Sequence, residues 1–245
     1  MGWHEELLVG FDLETTGTDP AHARIVSAAV TEVAAGRPVR HRCWLVDPGL
    51  PIPPEATAIH GITTARARAA GRPPREAVAE IAQALTGHWA AGVPVVAYNA
   101  PFDLTLLTAE LARHGLPPLP VPPGPVIDPL VVDRALDRDR PGRRTLQAAC
   151  AEYGVVLGRA HQAESDALAA VQVARALARR YPQLARRDPW ELHHSQAAWH
   201  AEWSARKDAH RTPPGWPLHH RAPHHRVPDP SIPAADPVRT GTSAP

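Results

Sequence analysis

The chain has 245 residues, 44% of them apolar and 21% charged, and a net charge of +1 with histidine neutral. That length suits one large domain with a tail, or two small domains, and can bury a core without disulfide staples. The charge balance excludes a global attraction to polyanions, no apolar run reaches the roughly 18–20 residues of a membrane span, and the N-terminus carries acids where a signal peptide is basic, so a cytoplasmic protein is expected.

Residues 5–14 (EELLVGFDLE) are an apolar run ending on acids at alternate positions, which predicts a strand. Residues 25–34 and 38–46, separated by Ala35-Gly36-Arg37-Pro38, predict an antiparallel hairpin. Residues 51–62 read as a Pro-rich loop with about one helical turn. Pro73 and Pro74 open a helix to about Leu85, with Ala77, Val78, Ile81, Ala84 and Leu85 on its apolar face. Residues 93–98 (VPVVAY) predict a short buried strand, followed by a helix from Pro101 to about His114. Residues 117–125 (PPLPVPPGP) read as a stiff connector outside the core. A short strand and a helix are expected over residues 126–136, with further helices over 144–152 and 164–180. Strands come first as a meander and later alternate with helices, so the expected fold class is α/β, a mixed sheet with helices on both faces.

The main domain is expected to span residues 1–187. Residues 188–206 predict a helix with Asp188 as N-cap and Pro189 at its first position, packing on the body through Trp190, Leu192, Trp199 and Trp203 within a C-terminal segment 188–210. From residue 211 to 245 prolines interrupt every helical pattern, so a Pro/His-rich disordered tail is expected. Its His219, His220, His224 and His225 read as solvated, and His193, His194 and His200 of the helix are not expected to be ligands. Cys43 and Cys150 are too few for a disulfide framework, and each reads as a small buried hydrophobe.

Asp12 and Glu14 end the first strand, where residues i and i+2 project to one side. Two anions side by side in apolar surroundings are costly unless a positive charge sits between them. A divalent cation answers this, and oxygen ligands alone favour magnesium or manganese. The following Thr15-Thr16-Gly17 turn brings backbone close to where a substrate end could approach. Asp103 and Asp166 each fall near a helix start, where the helix dipole alone explains an acid. Jointly with Asp12 and Glu14 they lie at strand ends or adjacent helix starts, the edge where open α/β sheets place their sites. His161, in a loop five residues before Asp166, can accept a proton from a water activated by the cations. These parts suit phosphodiester hydrolysis with two metal ions roughly 3.5–4 Å apart.

Asp12-Leu-Glu14-Thr-Thr-Gly17, Asn99-Ala-Pro-Phe-Asp103 and His161-Gln-Ala-Glu-Ser-Asp166 resemble, in order, the three motifs of the DnaQ-like DEDDh exonuclease family, which includes the proofreading epsilon subunit of bacterial DNA polymerase III. Ile59-His60-Gly61-Ile62-Thr63 resembles the segment between its first two motifs, and the likeness covers about residues 5–180. The resemblance implies a ribonuclease H-like fold and 3′–5′ exonuclease activity that releases nucleoside monophosphates from single-stranded ends, DNA favoured. It implies two divalent cations, Mg2+ or Mn2+. Asp12, Glu14 and Asp166 would hold the first, Asp12 would bridge to the second, and Asp103 would support that one. His161 would be the general base. Thr15, Thr16 and Gly17 would contact the terminal nucleotide, His60 and Ile62 would flank its base or sugar, and Asn99 and Phe102 would line the cleft. Asp128 matches a recurrent Asp of the family and reads as a structural or capping residue. No clamp-binding motif of the Gln-x-x-Leu/Met-x-Phe kind follows the nuclease core, so a stand-alone repair or RNA-turnover enzyme is as compatible as a polymerase-associated one. An RNA-directed exoribonuclease and a non-catalytic polymerase-associated subunit are the alternatives.

Overall fold

Strand β1 (Leu8–Thr15) is buried along nearly its whole length, as a strand covered on both faces must be. It pairs antiparallel with β2 (Ile25–Ala34) and parallel with the short β4 (Val95–Val96). β2 pairs antiparallel with β3 (Arg37–Leu45), and β4 runs parallel to β5 (Val126–Ile127). The sheet order is β3-β2-β1-β4-β5. Ala35 and Gly36 both take positive φ, the two-residue turn that matches the twist of a hairpin. The computed structural model describes residues 2–207 and 215–218.

Side chains alternate across β1. Val9, Phe11 and Leu13 join the core formed with α3 (Pro74–Ala90) and α4 (Ala100–Arg113). Leu8 lies in the opposite core, built mainly on α7 (Ala163–Arg180). By the same period, Gly10, Asp12 and Glu14 share the α7 side. A Cβ on Gly10 would lie 2.3 Å from the Ala167 carbonyl oxygen, so only glycine lets α7 come this near the strand. Ala163, Ala167, Ala170, Ala174 and Ala178 are all buried along α7, a stripe of small residues that permits the close approach. The remaining helices are α1 (Pro54–His60), α2 (Thr64–Ala70), α5 (Pro129–Leu136), α6 (Leu146–Tyr153), α8 (Pro182–Ala185) and α9 (Pro189–Lys207).

Helix α9 opens with a capping box. Asp188 Oδ1 accepts the Trp190 N–H at 2.8 Å, and Glu191 Oε2 accepts the Asp188 N–H at 3.2 Å. The helix then closes the sheet edge beyond β5 with side chains. His193 Nδ1 accepts the Val126 N–H at 3.1 Å, and burial holds that imidazole down at about 4, in its neutral, accepting form. Gln196 donates to the Val126 carbonyl at 3.0 Å and accepts the Asp128 N–H at 2.6 Å. Leu192 is wholly buried here, whereas Trp190 stays 37% exposed instead of packing inward.

Several expectations need correction. The segment read as a Pro-rich loop holds α1, and α2 follows it unforeseen, started by the Thr63 hydroxyl that caps Arg66 N–H at 3.1 Å. The α3 helix runs past Leu85 to Ala90, because its last turn buries Trp89. The strand expected over 93–98 pairs only through Val95–Val96. The connector 117–125 is not outside the core. Leu119 is buried, and Gly124 packs so tightly on the Trp89 ring that a Cβ would meet it at 2.2 Å. Cys150 is buried as expected, but Cys43 is exposed, since β3 is an edge strand. Within the segment expected to be disordered, Trp216 is buried and its ring meets His193 with centroids 4.9 Å apart. The rest of that expectation, with the four tail histidines, lies outside the described residues.

Replacing Gln196 with leucine leaves two buried backbone groups at the β5 edge without partners. At about 1–3 kcal/mol for each orphaned group, Gln196→Leu is expected to lower stability by about 2 kcal/mol or more in urea unfolding.

Candidate active site

The acids sit where β1 runs out. Its pairing with β2 shifts register between Glu14 and Thr15, which ends the regular ladder. The turn that follows is closed locally. The Thr15 hydroxyl donates to the Gly17 carbonyl at 2.7 Å, and Thr16 exchanges two bonds with Arg24, Thr16 N–H to Arg24 O at 3.0 Å and Arg24 N–H to Thr16 Oγ1 at 2.9 Å. Space around Gly17 is open, with nothing within 4 Å of where a Cβ would stand.

Because α7 lies against Gly10, its first turn brings Asp166 to the end of β1. Asp12, Glu14 and Asp166 each offer a carboxylate oxygen, all within 4.8 Å of one another. None of the three is ion-paired with arginine or lysine among the described residues. Asp103 stands in the first turn of α4, only 4% exposed, with Oδ1 accepting the Leu13 N–H at 3.1 Å. It is therefore pinned to the strand between Asp12 and Glu14 but lies outside the three-acid cluster, so the structure groups three of the four expected metal ligands.

The charges work against each other. Asp12 is held well above the ordinary carboxylate range by burial first, then by Asp103, Glu14 and Asp166. Glu14 is pushed up to about 7 by burial and by Asp166. Burial also raises Asp103, against the pull of the Leu13 N–H, and raises Asp166, against the His161 N–H. Oxygen donors that repel one another and lack a cationic side chain fit a divalent cation, whose charge would bring them back to the ionised state.

The other expected residues ring this cluster. His161 takes a left-handed φ of 61°, and its N–H donates to Asp166 Oδ2 at 3.1 Å, so the exposed imidazole is anchored by its own backbone. His60 accepts the Ile62 N–H on Nδ1 at 3.1 Å and is lowered mainly by burial, with Thr15 and His161 as neighbours. Ile62 is buried with Val26, Ile52, Ala56 and Ala67, so it supports the pocket from the core and offers little open surface. Asn99 is exposed in a left-handed conformation that asparagine tolerates, and Phe102 is partly exposed one turn on. Asp128 fulfils its structural reading. Its carboxylate accepts the N–H groups of Asn99, Ala100 and Leu130, each at 3.0 Å, tying the start of α4 to the start of α5. Burial lifts it to about 6 while those donors oppose the shift. The residue that sequence reasoning left out is Gly10. Its signal, a glycine inside an apolar strand, was present.

The family model for exonucleases termed RNase_T matches residues 9–174. A DNA polymerase III PolC-type protein of Streptococcus thermophilus is 32% identical over 163 residues, covering 66% of this chain and 10% of that protein. A DNA polymerase III subunit epsilon-like protein of Rhodobacter capsulatus is 42% identical over 102 residues, 40% of this chain and 14% of that protein. The chain thus spans only a small part of the length of these curated relatives. Among solved structures, E. coli exonuclease I in complex with a dA16 oligonucleotide aligns with a TM-score of 0.63 at 23% identity, covering 73% of this chain and 42% of that one. Exonuclease I from Methylocaldum szegediense aligns at 0.59 and 26% identity over the same shares. The mixed five-stranded sheet flanked by helices is the ribonuclease H-like fold. No helix among the described residues is long and apolar enough to cross a membrane.

Two outcomes follow for the metal-free protein. Glu14, raised to about 7 in the fold, binds more protons folded than unfolded between its ordinary value and 7, so this group costs stability as pH rises through that window. A divalent cation reverses the cost, and the thermal shift on adding Mn2+ is expected to be larger near pH 8 than near pH 5. Asp12→Asn removes the carboxyl that burial and then Asp103, Glu14 and Asp166 hold well above its ordinary range. It is expected to stabilise the metal-free chain by about 1 kcal/mol and to reduce the Mn2+ shift sharply, both read by differential scanning fluorimetry and urea titration.

Proposed function

Since the chain belongs to the RNase_T exonuclease family, we propose that it is a metal-dependent 3′–5′ exonuclease that removes nucleoside 5′-monophosphates from single-stranded DNA. The observation that carries this reading is the three-carboxylate cluster of Asp12, Glu14 and Asp166 at the end of β1, with no arginine or lysine paired to it among the described residues. In this proposal those three would hold one divalent cation, Mg2+ or Mn2+, and Asp12 together with Asp103 would hold a second. When bound, the cations lower the pKa of the attacking water and stabilise charge on the phosphodiester.

His161 takes the proton of the attacking water on its exposed ring. Its backbone bond to Asp166 supports that role, because it holds the imidazole's own loop against a metal ligand. The open space at Gly17, in the turn fixed by Thr15 and Thr16, is where the terminal nucleotide would lie. His60, beside Thr15, flanks it, with Ile62 packed beneath. Asn99 and Phe102 line the facing wall from the start of α4. DNA is preferred as substrate because the E. coli exonuclease I neighbour is described with a DNA oligonucleotide and the PolC-type and epsilon-like relatives carry DNA polymerase names. Those names also support a proofreading or repair setting in the cytoplasm.

The test is a degradation ladder on matched 5′-labelled single-stranded DNA and RNA with Mg2+ or Mn2+. Shortening from the 3′ end, faster on DNA, is expected. Asp12→Ala should lose at least about a thousandfold in rate, and His161→Ala about 10²–10⁴-fold. A folded protein that leaves both substrates intact would overturn the proposal, and faster RNA shortening would move the substrate to RNA.

A further inference from the structure

A second feature lies beside the acidic cluster, on the loop between α5 and α6. A cleft of about 430 Å³ opens from His161 and Asp166 towards Arg143, Thr145, Leu146 and Leu157. On the other side of the same loop, a cleft of about 290 Å³ is lined by Arg134, Arg138, Gly142, Arg144 and Trp203. Arg143 belongs to the first cleft and its chain neighbours Gly142 and Arg144 to the second, so one loop separates the two.

The loop is built rigidly. Arg144 donates to Asp133 Oδ2 at 2.7 Å and to the carbonyls of Asp133 and Arg140 at 3.0 and 3.3 Å, and it also reaches the Asp137 carbonyl. Arg140 shares the same buried carboxylate at 2.6 Å, and the Tyr153 hydroxyl donates to its other oxygen at 2.5 Å. Tyr98, next to Asn99, donates to the Arg144 carbonyl at 3.0 Å, which couples the loop to the start of α4. Asp133 therefore uses up Arg140 and Arg144 in structure. Arg143 and Arg134 form no ion pair among the described residues, and Arg138 is held at the surface by Glu202 at 3.3 Å and by the Ala135 carbonyl at 3.4 Å, both exposed. Arg134 lies over the Trp203 ring with its guanidinium carbon 3.8 Å from the centroid. Asp137 and Asp139 share the loop, so the surface is locally and not strongly basic.

We propose that this loop is the second grip on the substrate, with Arg143 and Arg138 contacting backbone phosphates of the single strand beyond its terminal nucleotide and the Arg134–Trp203 stack receiving one of its bases. Guanidinium groups not locked into a buried ion pair, beside an aromatic platform, are what a sequence-tolerant single-strand groove requires. Continuity with the acidic cluster at Arg143 favours a nucleic acid over an acidic peptide, which would have no reason to adjoin that cleft. The inference rests on the exonuclease reading.

The test separates the two. Binding of fluorescein-labelled oligothymidylates, a trinucleotide and a pentadecanucleotide, is followed by anisotropy in an Asp12→Ala background, and cleavage of the trinucleotide by the parent protein is followed with Mn2+. The longer strand is expected to bind at least about tenfold more tightly. Replacing both Arg138 and Arg143 with alanine should remove most of that gain and flatten the log–log salt dependence by about 0.7 per arginine. Both residues are exposed, so the melting temperature should hold, and the paired lysine replacements should restore binding in part. Equal affinity for the two lengths, an unaffected double-alanine variant, or binding of an acidic peptide but not of the longer strand would overturn the grip. If the trinucleotide is cleaved while the longer strand gains nothing, only the grip fails. If the trinucleotide is not cleaved and neither strand is bound, the exonuclease reading fails with it.

Discussion

Everything at the site depends on how near one helix can come to one strand. The Ala167 carbonyl occupies the space that any side chain on Gly10 would need, so α7 lies on β1 almost backbone to backbone. Asp166 sits one residue from that contact and Asp12 two residues from its partner, so their separation is set by main-chain packing and not by flexible side chains. Each residue larger than alanine on the α7 stripe would push the helix outward and carry Asp166 with it. Protein interiors do not absorb such a shift, since they are packed as densely as organic crystals.

The same constraint creates an electrostatic conflict, and the chain relieves it in a particular way. Asp103 takes a backbone N–H from Leu13, and Asp166 takes one from His161. Asp128, further back, takes three from Asn99, Ala100 and Leu130. These are main-chain dipoles, which lower a carboxylate's pKa without delivering a full charge. Elsewhere the chain spends arginines freely on acids, as at Asp133 and Glu80. At the end of β1 no arginine or lysine pairs with Asp12, Glu14 or Asp166 among the described residues, and the repulsion between the carboxylates stays uncompensated.

Much of this is legible in the sequence itself. The hairpin, the long α7 and the acids at strand ends followed from period-two and period-3.6 patterns with few competing signals. Asp128 is readable as a structural or capping residue from the family resemblance, and its side chain does cap α5. The departures at the Pro-rich connector and at Trp216 share one cause, which is tertiary burial overriding local composition. Proline at 53, 54, 73 and 74 marks helix starts, and the same residue type at 117–125 predicts a connector outside the core, yet Leu119 is buried and Gly124 lies against the Trp89 ring. Trp216 lay in a proline-rich stretch with no apolar period, and nothing local told that its ring would dock beside His193. Asp103 carried the right motif, but its commitment to the Leu13 N–H depends on a strand ninety residues away.

The two edges of the sheet are protected by different means. At β5, His193 and Gln196 take the place of a neighbouring strand. At β3 the edge lies open, but Pro38 has no N–H to offer, Arg37, Arg40 and Arg42 line the strand with like charge, and the register shift beside Val33 breaks its regularity. A second chain cannot easily add itself to such an edge. The β5 edge therefore depends on α9 staying docked: once that helix lifts away, the Val126 and Asp128 backbone groups lose their partners, and only Pro125 and Pro129, flanking the two-residue strand, remain to turn another strand aside.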